Sequence, residues 1–288
     1  MGAAQSGPMS GQLRVAIAAG YAVLLAVNGI FGSGAFGVPT NAEVSDAYPT
    51  NVTPAGLTFA VWGPIFLLQG AGTVLMAAGK APMLGSKVAP LWLATWAFEC
   101  AWQLVFAQAP LEDGKASGTT GAKLAVFVPS FFLLAGGFAS MIRAGSLIKG
   151  GSAAESLLIA LPTGINAAWL AAATGIGFTL VAQNTAATLA TPEAGAVLLG
   201  GVVAGACYAV PTFLGRSTAL GLGYGAATCW ACFGMTKGDS PQVVKDVATY
   251  GGYLVAVVSA AALVLRPRPP APPADGLLAE KASRGGSV

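Results

Sequence analysis

Leu91-Trp92-Leu93-Ala94-Thr95-Trp96-Ala97-Phe98-Glu99-Cys100-Ala101-Trp102-Gln103-Leu104-Val105-Phe106 is an apolar run with one carboxylate at its middle. Successive residues of a helix turn by about 100°, so positions three, four and seven apart share a face. Trp92, Thr95, Trp96, Glu99, Trp102, Gln103 and Phe106 therefore fall on one side. Lipid cannot solvate Glu99, so that side faces protein, water or a ligand. The run reads as a membrane-crossing helix with an aromatic, polar-bearing inner wall.

The rest of the chain agrees. Of 288 residues, 55% are hydrophobic and only 9% are charged, against about 25% charged in soluble domains. Segments of about 20 apolar residues span a hydrocarbon core of about 30 Å. Such segments recur at 13–32, 57–79, 88–108, 122–142, 154–182, 195–214, 217–235 and 247–265. The expected fold is all-α, a polytopic transmembrane bundle of about eight spans. The fifth segment is long for one crossing, which implies tilt or an extension beyond the bilayer.

The loops carry an orienting charge bias. Arg14, Lys80, Lys87, Arg143, Lys149, Arg216, Arg266, Arg268, Lys281 and Arg284 fall on one side; Lys115, Lys123, Lys237 and Lys245 fall on the other. Cationic residues accumulate on the cytoplasmic side, so both termini are expected there. The division of the chain is then a cytoplasmic segment 1–12, a five-helix core 13–184, a three-helix extension 195–265 and a tail 266–288. Pro, Ala and Ser dominate that tail, a disordered composition. Which membrane hosts the chain is not legible.

Three further signals compete with this reading near the amino end. Ser33-Gly34-Ala35 resembles a cleavage site, which would make 1–35 a signal peptide, although the apolar run is long for one. Met1-Gly2 with Ser6 fits the short myristoylation pattern. Asn51-Val52-Thr53 is a glycosylation sequon followed by Pro54. The loop 33–56 around it is rich in Gly and Pro, a composition that suits either a lid or an unordered connection.

Several function classes drop out. The net charge of +3 and the lack of a dense basic cluster argue against nucleic acid. The chain has no histidine, and no nucleophile–base set or metal cluster assembles from the residues present, so neither turnover nor a cofactor is expected. Cys229-Trp230-Ala231-Cys232 has a CxxC spacing, but within a Gly/Ala-rich apolar helix it reads as packing.

Other spans repeat the pattern of the quoted run. Trp62, Phe66, Gln69 and Thr73 form a stripe, as do Pro162, Thr163, Asn166 and Trp169; Tyr21 and Asn28 lie seven apart. Amides in membrane helices often only tie helices together, at about 0.6 kcal/mol each. Glu99 is harder to dismiss: a charge at mid-span costs about 2.5–3.5 kcal/mol, and no Lys or Arg lies within a span to offset it. Protonated, it would donate to Gln103, Asn166 or a ligand oxygen. Ionised, it would shuttle a proton or hold a cation. Gly201/Gly205 and Gly221/Gly225 are small-xxx-small pairs, contact faces for other helices, a second copy or a membrane-complex partner.

Thr53-Pro54-Ala55-Gly56-Leu57-Thr58-Phe59-Ala60-Val61-Trp62-Gly63-Pro64-Ile65-Phe66 resembles a stretch of the tryptophan-rich sensory proteins, related to the TspO/translocator family. Trp92 to Phe106 is similar to their third helix, and Leu161-Pro162 with Ala168-Trp169 and Ala173-Thr174 to their fifth. The likeness covers about residues 13–184. It implies a five-helix bundle with a ligand pocket under the first loop, lined here by Pro54, Phe59, Trp62, Phe66, Trp102 and Trp169. It also implies ligands such as tetrapyrroles or sterol-like molecules. The chain departs from the founding branch in having no Trp-rich first loop ending in a double proline, and in its three extra spans.

The expected function is a non-enzymatic membrane receptor or carrier for a flat apolar ligand. Trp62, Trp96, Trp102 and Trp169 would stack on it, while Gln69, Glu99 and Asn166, with Gln103 nearby, orient its polar edge. The alternatives are a proton-coupled transporter working through Glu99 and an accessory subunit of a membrane complex.

Overall fold

The computed structural model describes residues 9–265. The tail 266–288, with Arg266, Arg268, Lys281 and Arg284, and the site of the myristoylation pattern at Gly2 lie outside those residues. Eight long helices follow one another: α1 Gly11–Ser33, α2 Trp62–Ala77, α3 Gly85–Phe106, α4 Thr120–Leu147, α5 Leu161–Thr185, α6 Pro192–Leu214, α7 Thr218–Lys237 and α8 Gln242–Val264. Six of the spans are long and apolar enough to cross a membrane. The other two, α3 and α7, are 22 and 20 residues long. Both carry polar groups, which they turn inward: Thr95, Glu99 and Gln103 in α3 and Thr228 in α7 are buried. The chain is a multi-pass membrane protein whose spans are all helical.

Local sequence sets the helix ends. Ser10 accepts from the Leu13 N–H at 3.2 Å and Thr119 from the Ala122 N–H at 3.2 Å, satisfying donors that the first turn leaves free. Thr191 does the same for Ala194, ahead of Pro192. The fifth span begins earlier than α5, at Ala153–Glu155, and runs through a π turn at Ser156–Ala160. Pro162 has no N–H to offer an α-helical ladder, and the widened turn lies directly before it. The uninterrupted span covers 33 residues, about 50 Å at 1.5 Å per residue, which exceeds the hydrocarbon thickness as its sequence length implies.

Glu155 anchors that extended start. Its Oε2 accepts from the Ser152 N–H at 2.9 Å and the Ser152 hydroxyl at 3.0 Å. Its Oε1 accepts from the Met83 and Leu84 N–H groups, each at 2.9 Å. One carboxylate thus caps the fifth span and ties the α2–α3 connection to it.

Helix α3 lies against α1 and α4, and α5 packs between α4 and α7. Lipid tails are as apolar as a helix surface, so close backbone approach and polar contacts hold such helices together. Gly164 and Gly223 show this at the α5–α7 crossing. A Cβ on Gly164 would collide with the Leu220 carbonyl oxygen, and one on Gly223 with that of Leu161. Helices α6, α7 and α8 pack on one another and join the first five helices chiefly through α7. The Gly221/Gly225 face is filled within the chain by Leu214 and Ser259, whereas the space beside Gly201 and Gly205 is open.

The first loop folds over one end of the bundle. It contains a short helix, Asn41–Ala47, closed by a capping box in which the Thr40 N–H donates to Glu43 at 2.7 Å. Tyr48 donates its hydroxyl to the Pro110 carbonyl and packs its ring edge-on to Phe127. Leu111–Glu112 (β1) and Lys115–Ala116 (β2) form a minimal antiparallel hairpin beside it. Asn51, the sequon residue, donates to the Ala190 carbonyl at 2.7 Å, and Val52 is buried beneath.

Candidate functional site

The stripe on α3 meets three helices. Trp92 Nε1 donates to Thr163 Oγ1 of α5 at 3.0 Å, and Thr163 in turn donates to the Ile159 carbonyl at 2.6 Å. One turn on, Trp96 Nε1 donates to Gln69 Oε1 of α2 at 3.0 Å. Asn166 of α5 donates to Glu99 Oε1 at 3.0 Å. Gln103 donates to Asn28 Oδ1 of α1 at 2.8 Å, and Asn28 to the Leu24 carbonyl at 2.9 Å. The result is a polar ladder along one face of α3, with rungs to α1, α2 and α5.

Three of the four rungs leave atoms over. Glu99 Oε2, Asn166 Oδ1, Gln103 Oε1 and Gln69 Nε2 are buried without a hydrogen-bond partner, as are Trp102 Nε1 and Thr73 Oγ1. Native proteins rarely leave buried polar atoms unpaired, and each such atom costs roughly 1–3 kcal/mol. Glu99 is 5% exposed, and its one hydrogen-bonded partner among the described residues is the neutral Asn166. Three of the leftover atoms are acceptor oxygens. The ladder therefore keeps unused acceptor capacity, for a donating group or for a proton on Glu99.

The aromatic side chains divide into groups. Phe59, Trp62, Phe66 and Trp169 stand together beneath the first loop: Trp62 stacks on Phe66 with centroids 5.3 Å apart, and Trp169 meets Phe59 edge-on at 5.8 Å and Trp62 at 6.3 Å. Trp96 instead packs with Trp92 at 5.7 Å and with Tyr21 at 5.5 Å, and Tyr21 donates to the Phe66 carbonyl at 2.6 Å. Trp102 stacks on Phe106 at 5.1 Å, beside the cluster of Val44, Tyr48 and Phe127. Pro54 is buried in the loop, where a neighbouring residue, Ala55, donates to the Gly234 carbonyl at 3.0 Å. The side chains expected at the site are thus not all brought to one place: Pro54 and Phe59 come from the segment ahead of α2, and Trp102 sits apart with Phe106. Glu99, Asn166, Gln69, Trp96 and Gln103 belong to the ladder, and Phe59, Trp62, Phe66 and Trp169 to the sub-loop group.

Sequence reasoning missed one participant. Trp230 Nε1 of α7 donates to the Thr58 carbonyl at 2.8 Å, and its indole packs with the group containing Phe59, Trp62 and Trp169. It holds the turn that presents Phe59. It lies inside the CxxC stretch, where Cys229 donates to the Gly252 carbonyl at 3.5 Å.

The family described as TSPO-like protein matches residues 14–265, from the first turn of α1 to the end of α8. The match therefore runs past residue 184 and takes in α6, α7 and α8. No curated protein and no solved structure matches the chain.

Proposed function

The chain belongs to the TSPO-like protein family and is an integral membrane protein of that type; from that premise we propose that it binds or carries a flat apolar small molecule, tetrapyrrole- or sterol-like, in a non-enzymatic sensory or transport role. The ligand lies between α2, α3 and α5. Trp62 and Trp169 offer ring faces and edges, and Trp96 walls the polar side. Gln69, Glu99, Gln103 and Asn166 address its polar edge. The observation that carries this reading is the set of buried, unpartnered atoms on those four side chains. A ligand edge with donors and acceptors would satisfy them at once, and a desolvated site makes each such contact count for more. The charge bias of the loops supports cytoplasmic termini.

Tryptophan fluorescence tests the proposal. Purified protein titrated with protoporphyrin or with cholesterol is expected to show saturable quenching or enhancement. Trp169→Ala removes a fluorescence donor and a wall of the site and is expected to weaken the response. A flat titration with every candidate, in a monodisperse sample, ends the ligand reading.

The lone neutral partner of Glu99 favours a second reading, proton-coupled transport with Glu99 as the carrier. Proteoliposome uptake that collapses in Glu99→Gln, with binding retained, would select it. Uptake that is unchanged would remove it.

A further inference from the structure

The end of the bundle that carries the start of α1 holds an excess of unanswered positive charge. Arg14, Lys80, Lys87, Arg143, Lys149 and Arg216 all lie there. Among the described residues that end has one carboxylate, Glu155, and its oxygens are already engaged by Ser152, Met83 and Leu84. Apart from Glu99 at mid-span, every other described acid lies in or beside the connections at the opposite end.

Two of these cations are brought together. Arg216, in the α6–α7 turn, donates from Nη1 to the Ser146 carbonyl at 2.7 Å, and the Gly150 N–H donates back to the Arg216 carbonyl at 3.2 Å. Arg143 donates from Nη1 to Ser146 Oγ at 3.4 Å. Both guanidinium groups therefore stand against one serine. The ends of α4, α6 and α7 meet there, with Phe213 and Leu220 against Gly145. Lys149 is exposed three residues further on, in the connection that Gly150 ties to Arg216.

The carboxyl end of α4 accounts for part of this arrangement. Arg216 satisfies a carbonyl that the last turn leaves free, and the negative end of a helix favours cations. That contact uses one of several N–H donors on Arg216, and Arg143 adds a single long one. Like charges held side by side, with no carboxylate to pair with, call for an anion from outside the chain.

We propose that Arg143, Lys149 and Arg216 bind the phosphate of an anionic phospholipid headgroup. These residues lie at or just beyond the ends of α4 and α6, and spans end at headgroup depth. A guanidinium fork matches two phosphate oxygens, and a basic pocket between the ends of spans attracts anionic lipids. Tyr208, exposed on the last two turns of α6, adds an amphipathic ring of the kind that settles at the membrane interface. A zwitterionic lipid brings its own ammonium group and gains less from the cluster. The site is separate from the Glu99 cleft and does not depend on a ligand there.

Native mass spectrometry in detergent counts bound lipid, and thermal unfolding of the same samples reads the fold. Wild type is expected to retain dioleoylphosphatidylglycerol saturably and dioleoylphosphatidylcholine only weakly. Arg143→Gln/Lys149→Gln alters two exposed side chains and leaves the bond from Arg216 to Ser146 in place. It is expected to keep the wild-type unfolding midpoint without lipid and to lose about fivefold in apparent affinity for each cation removed. Lys149→Gln alone, at a side chain with no bond to lose, is expected to show a single such loss. Lys80→Gln/Lys87→Gln removes equal charge at the same end and is expected to bind as wild type does. Unchanged phosphatidylglycerol binding in Arg143→Gln/Lys149→Gln overturns the proposal. Equal losses in the two double variants overturn it too, because they leave only a diffusely positive end. Equal retention of the two lipids by wild type removes headgroup charge from the recognition. Inorganic phosphate that displaces phosphatidylglycerol at comparable concentration assigns the cluster to a soluble anion and overturns the lipid source.

Discussion

Asn166 and Glu99 join α5 to α3 through one hydrogen bond of 3.0 Å, and each is left with an unpartnered oxygen. The pair is half satisfied. In a low-dielectric interior such a half-satisfied network costs stability until a further partner arrives.

Replacing that carboxyl separates shape from charge. Glu99→Gln keeps an acceptor for Asn166 and adds donors for the surplus oxygens, so resistance to unfolding in detergent is expected to hold or rise by about 1 kcal/mol. Glu99→Leu removes the partner of the Asn166 amide and is expected to cost roughly 1–3 kcal/mol. A Glu99→Leu protein as stable as wild type would show that the pair contributes nothing to the fold.

Glu155 presents the opposite case, a carboxylate with every oxygen engaged. Glu155→Ala frees the Met83, Leu84 and Ser152 N–H groups together. It is expected to destabilise the protein by about 1.5–3 kcal/mol or more, since each bond runs to a charged group. Amide exchange is expected to speed up first at residues 83–84 and 152–155. Exchange rising evenly over the whole chain would argue against a local anchor.

The α5–α7 crossing tolerates no side chain. Gly164→Ala drives a methyl group into the Leu220 carbonyl oxygen and is expected to cost about 1–3 kcal/mol, the range for overpacking. Gly200→Ala, in open space on α6, is expected to stay near wild type and serves as the control. Comparable midpoints for the two variants in mixed-micelle unfolding would remove the close approach.

The first loop is expected to respond to acid in a defined direction. The Thr40 N–H, and after it the Thr40 hydroxyl, hold the Glu43 carboxyl below its ordinary range. A depressed carboxylate stabilises the folded form at pH values above its unfolded pKa, and that stabilisation is lost as pH falls through the lower folded value. Hydrogen-exchange protection of residues 41–47 is therefore expected to persist at neutral and mildly acidic pH and to decline only below the usual glutamate range. In Glu43→Gln the protection is expected to be weaker and independent of pH over that interval.

Much of the architecture was legible before any coordinates. Apolar length marked all eight helices, because backbone groups in lipid must pair within their own segment and leave few alternatives. The stripe Trp92, Trp96, Glu99 and Gln103 was legible for a similar reason: helical periodicity decides which residues share a face. The partners across the gap were not. Gln69 opposite Trp96, Asn28 opposite Gln103 and Trp230 beneath Thr58 depend on how helices are arranged around one another, which periodicity within one helix does not encode.

Composition and spacing by themselves determined that this chain crosses a membrane repeatedly and that one acid must face inward. Both follow from the cost of exposing charge and unpaired backbone to hydrocarbon. Only the tertiary structure decided which glycines are filled, which aromatic rings meet and which polar atoms go unanswered. Gly221 is sealed by Leu214 while the space beside Gly205, on a similar motif, is open. Contacts between distant segments depend on the crossing of whole helices, and no local pattern in the chain carries that geometry.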